Sequence, residues 1–232
     1  MSRISLVPLT GIPEIGADDD LVQVLGDAIE DAGGLEPGDV VVVAQKAVSK
    51  AEGRVVRVPK KQHLDAILGE ARRVRRRRDE LVIAETSHGF VCASAGVDRS
   101  NAPDDDLVVL LPLDPDASAR RIRDGLERRF GIAPAVIVSD SFGRAWRQGT
   151  TDVAIGVAGM RPILDLRGSS DARGYRLEST MIAVADELAG AGELVMGKAR
   201  RVPAALVRGY AVPPGDGRAT EIVMPPERDL FP

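Results

Sequence analysis

The feature that most constrains the fold is an uninterrupted run of β-branched residues, Val40–Val43, which Ala44 ends. A strand with one face in solvent alternates apolar and polar side chains, whereas a strand covered on both faces is apolar throughout. The run therefore predicts a central strand that is buried on both faces. The turn Pro37–Asp39 precedes this strand, and the segment from Gln45 to Lys50 leaves it at its carboxyl end.

Strand-like and helix-like patterns are interleaved along the rest of the chain without regular βαβ periods. Strands are predicted at Ile4–Leu9, Leu81–Glu85, Phe90–Ala93, Ala135–Val138 and Ala204–Val207, and two further apolar segments cover Leu107–Leu111 and Val153–Ala158. Helices are predicted after Asp18, Asp19 or Asp20, over Gln62–Arg78, from Asp116 to Phe130, and from Met181 through Leu188. The 232 residues are enough for a core without disulfides or metals. We assign a mixed α/β (α+β) fold and one domain over residues 1–232, with two intertwined subdomains as the alternative.

The predicted helix Gln62–Arg78 carries a dense positive charge in its last part. Six arginines stand there: Arg72, Arg73, Arg75, Arg76, Arg77 and Arg78. Such a run can contact phosphate or an acidic membrane, and it can also be a solvated helix face with acidic neighbours. We favour the solvated helix face.

Composition argues against several classes of protein. The 31 Lys and Arg against 35 Asp and Glu give a net charge of -4, and there are only one Trp, two Tyr and four Phe. A general nucleic-acid binder needs a basic surface and stacking aromatics, so no nucleic-acid partner is expected. The single cysteine, Cys92, excludes an intrachain disulfide.

The sequence also predicts a cytoplasmic protein without a membrane partner. The first 13 residues lack the apolar region and cleavage site of a signal peptide. A spanning helix needs about 18 apolar residues in succession, and no such run is present.

Common motifs of nucleotide and metal sites are absent. The chain has no G-x-x-x-x-G-K-[ST] loop, no G-x-G-x-x-G fingerprint and no H-E-x-x-H helix. Its two histidines, His63 and His88, stand apart in sequence, and we interpret both as structural or surface residues. A nucleotide site in this chain must therefore be built in another way.

Two aspartates follow apolar segments, Asp98 after Ala95–Val97 and Asp140 after Val136–Ser139. Magnesium is usually held by one or two carboxylates together with phosphate oxygens, so two converging aspartates would suit a metal–nucleotide site. Ser141 offers a further hydroxyl ligand. An aspartate taken alone is more often a turn-former or a helix cap, and the sequence does not show whether these two converge.

Lysines are rare in this chain, and three of them stand near these segments. Lys46 and Lys50 are one helical turn apart, so a helix beginning after Ala44 would place both ammonium groups on one face as a phosphate clamp. Lys198 follows Gly197 in a third segment. The alternative is a set of solvated lysines.

The segment Gly143–Gly149 contains the only tryptophan, Trp146, next to Arg147 and near Arg144. Arginines beside a metal-binding aspartate suit an anionic substrate, because a guanidinium binds carboxylate or phosphate with two hydrogen bonds. A structural tryptophan with surface arginines is the alternative.

Six segments in this order resemble one known family over nearly the whole chain. They are Thr10–Pro13, Ser49–Gly53, His88–Cys92, Ala95–Asn101, Asp140–Arg147 and Val184–Leu188. Together they resemble the coenzyme F420-0:L-glutamate ligase family, also called coenzyme F420:gamma-glutamyl ligase. The resemblance implies a gamma-glutamyl ligase-like fold and an intertwined homodimer. It also implies the ligase module alone, with no nitroreductase-like extension.

The resemblance further implies GTP-dependent addition of L-glutamate to coenzyme F420-0, and to F420-1 as an extension, through an acyl phosphate. It implies a need for Mg²⁺ or Mn²⁺ and stimulation by K⁺. The implied GTP contacts are Gly11, Ile12, Pro13, Glu14, Ile15, Gln45, Lys46, Lys50, Asn101, Met196, Gly197 and Lys198. The implied metal ligands are Asp98 and Asp140, with Ser141 on a second ion. Arg144 and Arg147 are candidates for anchoring substrate carboxylates or phosphate.

Two positions depart from the family pattern. Ser94 stands where an asparagine is expected, and Lys198 stands where an amide or acid would ligate the second metal. Two other functions fit the same residues, a non-catalytic nucleotide-binding module and a related carboxylate–amine ligase with a different acceptor.

Overall fold

The computed structural model describes residues 3–17, 19–99, 104 and 106–230. In this part of the chain the α-helices are α1 Leu21–Asp31, α2 Gln45–Ala51, α3 His63–Glu70, α4 Pro115–Phe130 and α5 Val184–Met196. The strands are β1 Ser5–Pro8, β2 Val40–Ala44, β3 Val55–Arg57, β4 Ala71–Arg78, β5 Leu81–Thr86, β6 Val91–Ala93, β7 Leu107–Val109, β8 Ala135–Gly143, β9 Thr150–Ala158, β10 Leu164–Asp165, β11 Met181–Ile182 and β12 Ala204–Arg208. This is a mixed α/β structure, as predicted.

A five-stranded sheet in the order β1-β12-β2-β8-β9 forms the centre of the molecule. Strand β2 runs parallel to β8 and antiparallel to β12. The Val40–Val43 run is completely buried, which confirms the central strand predicted from its apolar pattern. Helix α5 lies against Val42 of β2, and α4 lies against Gly156 of β9. Gly156 pairs with Val138 of β8, which in turn pairs with Val43 of β2. Because neighbouring positions on a strand point to opposite faces, helices cover both faces of this sheet.

The apolar core has two parts. The larger cluster surrounds the central sheet, and the smaller one includes Ile67, Val82, Ala84 and Val108 under the strands β3–β7 and β4–β5–β6. Among the described residues, no helix has both the length and the apolar character needed to cross a membrane.

The predicted helix Gln62–Arg78 is wrong in its second half. Helix α3 ends at Glu70, and the arginines form the edge strand β4, which pairs with β5. Arginine has a good helix propensity, but pairing with a neighbouring strand overrides it here. Arg72 and Arg75 both form ion pairs with Glu85 of β5. Charged side chains on an exposed edge strand also discourage pairing with other chains.

Other boundaries differ by a few residues. Strands β8 and β9 form a hairpin that extends beyond the apolar residues into the polar segment Ser139–Gly143. Helix α4 is capped by Asp114, while Asp116 is buried and accepts hydrogen bonds from the backbone N–H groups of Val157 and Ala219. Asp20 caps α1 as predicted.

We expect Gly156→Ala to destabilise the protein strongly, because a Cβ at this position would lie 2.3 Å from the carbonyl oxygen of Pro115. The backbones of β9 and α4 would have to separate, at a cost of about 2–3 kcal/mol. Urea denaturation measures this loss. The matched control is Gly143→Ala, since no described atom lies within 4 Å of a Cβ there. Equal stability of the two variants would contradict this packing.

Candidate active site

Four segments meet at one edge of the central sheet and surround a cavity of about 900 Å³. Strand β2 ends there at Ala44, and its parallel neighbour β8 continues past it from Ser139. The antiparallel strands place the end of β1 and the start of β12 at the same edge. The chain before α1, the start of α2, the polar end of β8 and residues 196–203 therefore line one cavity.

The two lysines of α2 lie on the wall of this cavity, which confirms that a helix begins directly after Ala44. The Lys46 ammonium lies 2.7 Å from a carboxylate oxygen of Asp98. Lys50 forms an ion pair with Glu14, and only 9% of the Lys50 side chain is exposed. Both cations of the predicted phosphate clamp are thus positioned by a short rigid helix.

Asp140 lies in β8 and shares its surroundings with Asp98 and Lys46. The pKa of Asp140 is raised to about 7, chiefly by burial and also by the negative charges of Asp98 and Asp152, against the opposing effect of Lys46. The Ser141 backbone N–H donates to the Asp140 carboxylate at 2.9 Å and also lowers this pKa. Asp98 and Asp140 therefore belong to one electrostatic cluster, a convergence that their positions in the sequence left open.

Three site residues were missed by the sequence analysis: Ser139, Asp152 and Glu193. Asp152 is buried and accepts hydrogen bonds from the hydroxyls of Ser139 at 2.8 Å and Ser141 at 2.6 Å. Burial and the charge of Asp152 raise the pKa of Glu193. The sequence signal that points to Ser139 and Asp152 is the polar extension of both strands of the β8–β9 hairpin, in which Ser141 and Asp152 are paired in register.

The donor set fits a hard cation only in part. Asp98, Asp140 and the Ser141 hydroxyl are oxygen ligands of the kind Mg²⁺ prefers. The described residues contain no group of three or more His, Cys, Asp or Glu side chains suited to a metal ion. These residues fit a cation that completes its coordination with water and phosphate oxygens.

A buried amide also faces the cavity. Gln45 is 1% exposed, and its Oε1 accepts a hydrogen bond from the Ser49 hydroxyl at 2.9 Å. Its Nε2 has no hydrogen-bond partner among the described residues. An unpaired buried donor is costly, so a ligand acceptor at this position would be stabilising.

The remaining predicted residues divide into four groups. Most of them line the cavity: Ile12, Pro13, Glu14, Ile15, Gln45, Met196, Gly197 and Lys198. Gly11 directly precedes this lining, and Asn101 lies outside the described residues. Arg144 and Arg147 are exposed on the turn between β8 and β9 and do not line the cavity. Their role as substrate anchors stays a prediction.

Comparison with known proteins identifies the family of this chain. Residues 11–209 match the family described as F420-0:Gamma-glutamyl ligase. The coenzyme F420:L-glutamate ligase of Methanothermobacter thermautotrophicus is 43% identical, over 98% of each chain. The protein of the same name from Methanocaldococcus jannaschii is 38% identical over 85% of this chain and 86% of its own, and that from Methanopyrus kandleri is 37% identical over 99% and 97%.

Fold and site together define a mixed α/β protein with a cavity lined by both lysine and carboxylate side chains. The comparisons specify it further. The chain belongs to the F420-0:gamma-glutamyl ligase family, which confirms the resemblance seen in the sequence.

Proposed function

We propose that this protein ligates L-glutamate to coenzyme F420-0, and to F420-1 as an extension, using GTP and releasing GDP and phosphate. The names of its relatives support the substrates. The observation that carries the proposal is the grouping of Asp98 with Lys46 and Asp140, the last two of which line the cavity. A triphosphate needs cationic groups around it, and its metal ion needs carboxylates beside them.

In this proposal the side chains act mainly by binding the charged phosphates and the metal ion in fixed positions. Lys46, Lys50 and Lys198 offset the negative charge of the phosphates, while Asp98, Asp140 and Ser141 hold Mg²⁺ or Mn²⁺. A bound divalent cation would polarise the phosphate oxygens. Arg144 and Arg147 would anchor substrate carboxylates. The homodimer and the stimulation by K⁺ belong to the same proposal.

The reaction has two displacements. A terminal carboxylate oxygen of the coenzyme attacks the γ-phosphorus, and the bond from that phosphorus to the β–γ bridging oxygen breaks, releasing GDP. After a base has taken the ammonium proton, the glutamate nitrogen attacks the acyl carbon. The carbon–oxygen bond to phosphate then breaks, the nitrogen gives up its second proton to the departing phosphate, and an amide remains. Binding both substrates in one cavity makes the second step effectively unimolecular.

Incubation of the protein with coenzyme F420-0, L-glutamate, GTP and MgCl₂ tests this function. We expect a coenzyme product heavier by one glutamyl residue in mass spectrometry, with one phosphate released per amide formed. A parallel reaction with ATP measures nucleotide preference. Nucleotide binding without phosphate release would instead indicate a binding module, and glutamate-dependent release with unrelated acceptors would indicate a different ligase.

A further inference from the structure

The Lys50 ammonium, which faces the cavity, is already occupied by a carboxylate of the protein itself. The Lys50 side chain is 9% exposed and is fixed on α2, whereas its partner Glu14 is 76% exposed and belongs to the loop of residues 11–16. One member of the pair is therefore rigid and buried, and the other is a solvent-facing loop residue.

Burial explains why this pair forms. An ammonium group withdrawn from water is costly without a counter-charge, and removal of its partner leaves an uncompensated charge. Glu14 supplies the counter-charge in the ligand-free protein. Because both groups line the cavity, an anionic ligand there competes with Glu14 for Lys50.

The loop that carries Glu14 has a conformationally free residue at its start. Gly11 has φ +79, and a Cβ built on it would have no described atom within 4 Å. Glycine adopts this backbone conformation without strain. The Glu14 side chain itself is 76% exposed and can rotate into solvent, so its withdrawal from Lys50 needs no rearrangement of the central sheet.

We propose that Glu14 is a placeholder for a nucleotide phosphate: it neutralises Lys50 in the ligand-free protein, and an incoming phosphate displaces it. This inference rests on the proposed function. The resemblance placed Glu14 among the nucleotide contacts, but a carboxylate repels phosphate. The ion pair gives Glu14 the opposite role, that of a competitor which nucleotide must remove.

The test is Glu14→Gln, with the dissociation constant for GTP measured in EDTA by isothermal calorimetry and the melting temperature measured without ligand. We expect GTP to bind about three- to tenfold more tightly. The melting temperature of the ligand-free variant should fall, because Lys50 loses its counter-charge. A purely structural Glu14 would lower stability and weaken binding together, and that result would overturn the proposal.

Two controls separate this effect from a general change in charge. In a Lys50→Met background, Glu14→Gln should no longer tighten GTP binding. Glu30→Gln removes an exposed glutamate that is paired with Arg129 outside the cavity, and it should leave GTP affinity unchanged. Tighter binding by either variant would overturn the inference. Wild-type protein that binds no GTP even with MgCl₂ present would overturn the proposed function as well, whereas binding that Glu14→Gln leaves unchanged would overturn this inference alone.

Discussion

Replacing Asp140 by asparagine is expected to lower the rate of glutamate ligation about a hundred- to a thousandfold. The substitution keeps the shape of the side chain and removes the negative charge proposed to hold the divalent cation. Initial rates at saturating GTP and metal measure the effect. Activity within about threefold of wild type would contradict the role of Asp140 in the site.

The same substitution should have the opposite effect on the stability of the metal-free protein. The pKa of Asp140 is raised from 3.8 to about 7 in the folded state. As the pH rises from about 4 to 7, the unfolded chain gives up this proton first, so wild-type stability falls over that window and then levels off. Asparagine does not ionise, so the Asp140→Asn variant lacks this fall in stability. In EDTA at pH 8 we expect Asp140→Asn to melt at least about 2 °C higher than wild type, with the difference shrinking toward pH 4.

The matched control is Asp165→Asn. The hydrogen-bonded Arg167 lowers the pKa of this carboxyl to about 2. Asp165 therefore titrates below pH 4, outside the range from pH 4 to 7 in which Asp140 changes the stability of the protein. Asp165 also lies outside the cavity lining. This variant should retain wild-type activity and the wild-type fall in stability between pH 4 and 7.

The second large effect is expected for Lys46→Met, which keeps the length of the side chain and removes its charge. Catalytic efficiency for GTP should fall about a hundred- to a thousandfold, because the phosphates lose a cation fixed by α2. Steady-state kinetics with varied GTP measure this loss.

Lys61→Met is the control for Lys46→Met, since Lys61 is exposed and does not line the cavity. It should be close to wild type in both turnover and KM. Equal kinetics of the two variants would show that the Lys46–Asp98 pair serves folding and takes no part in the reaction.

Local patterns predicted the parts of the fold that depend on few residues. The uninterrupted apolar run Val40–Val43 by itself indicates a strand that is buried on both faces. The spacing of Lys46 and Lys50 matches one turn of the helix that follows. The Asp20 cap of α1 is similarly local. Each of these features is decided within one helical turn or one strand.

The features that sequence reasoning missed depend on distant partners. The Arg72–Arg78 segment fits a helix by propensity, and its strand conformation comes from pairing with β5 and from Glu85. Asp152 joins the site because the β8–β9 hairpin continues past its apolar residues. The grouping of Asp98 with Asp140 needed the fold or the family resemblance, because strand-end position alone did not show that they converge.

The proposed mechanism requires that phosphate from the nucleotide activate a carboxylate of the coenzyme before glutamate attacks. Coenzyme F420-0 whose terminal carboxylate carries a heavy-oxygen label tests this step. We expect one labelled oxygen in each inorganic phosphate released during ligation. Amide formation with unlabelled phosphate would contradict it.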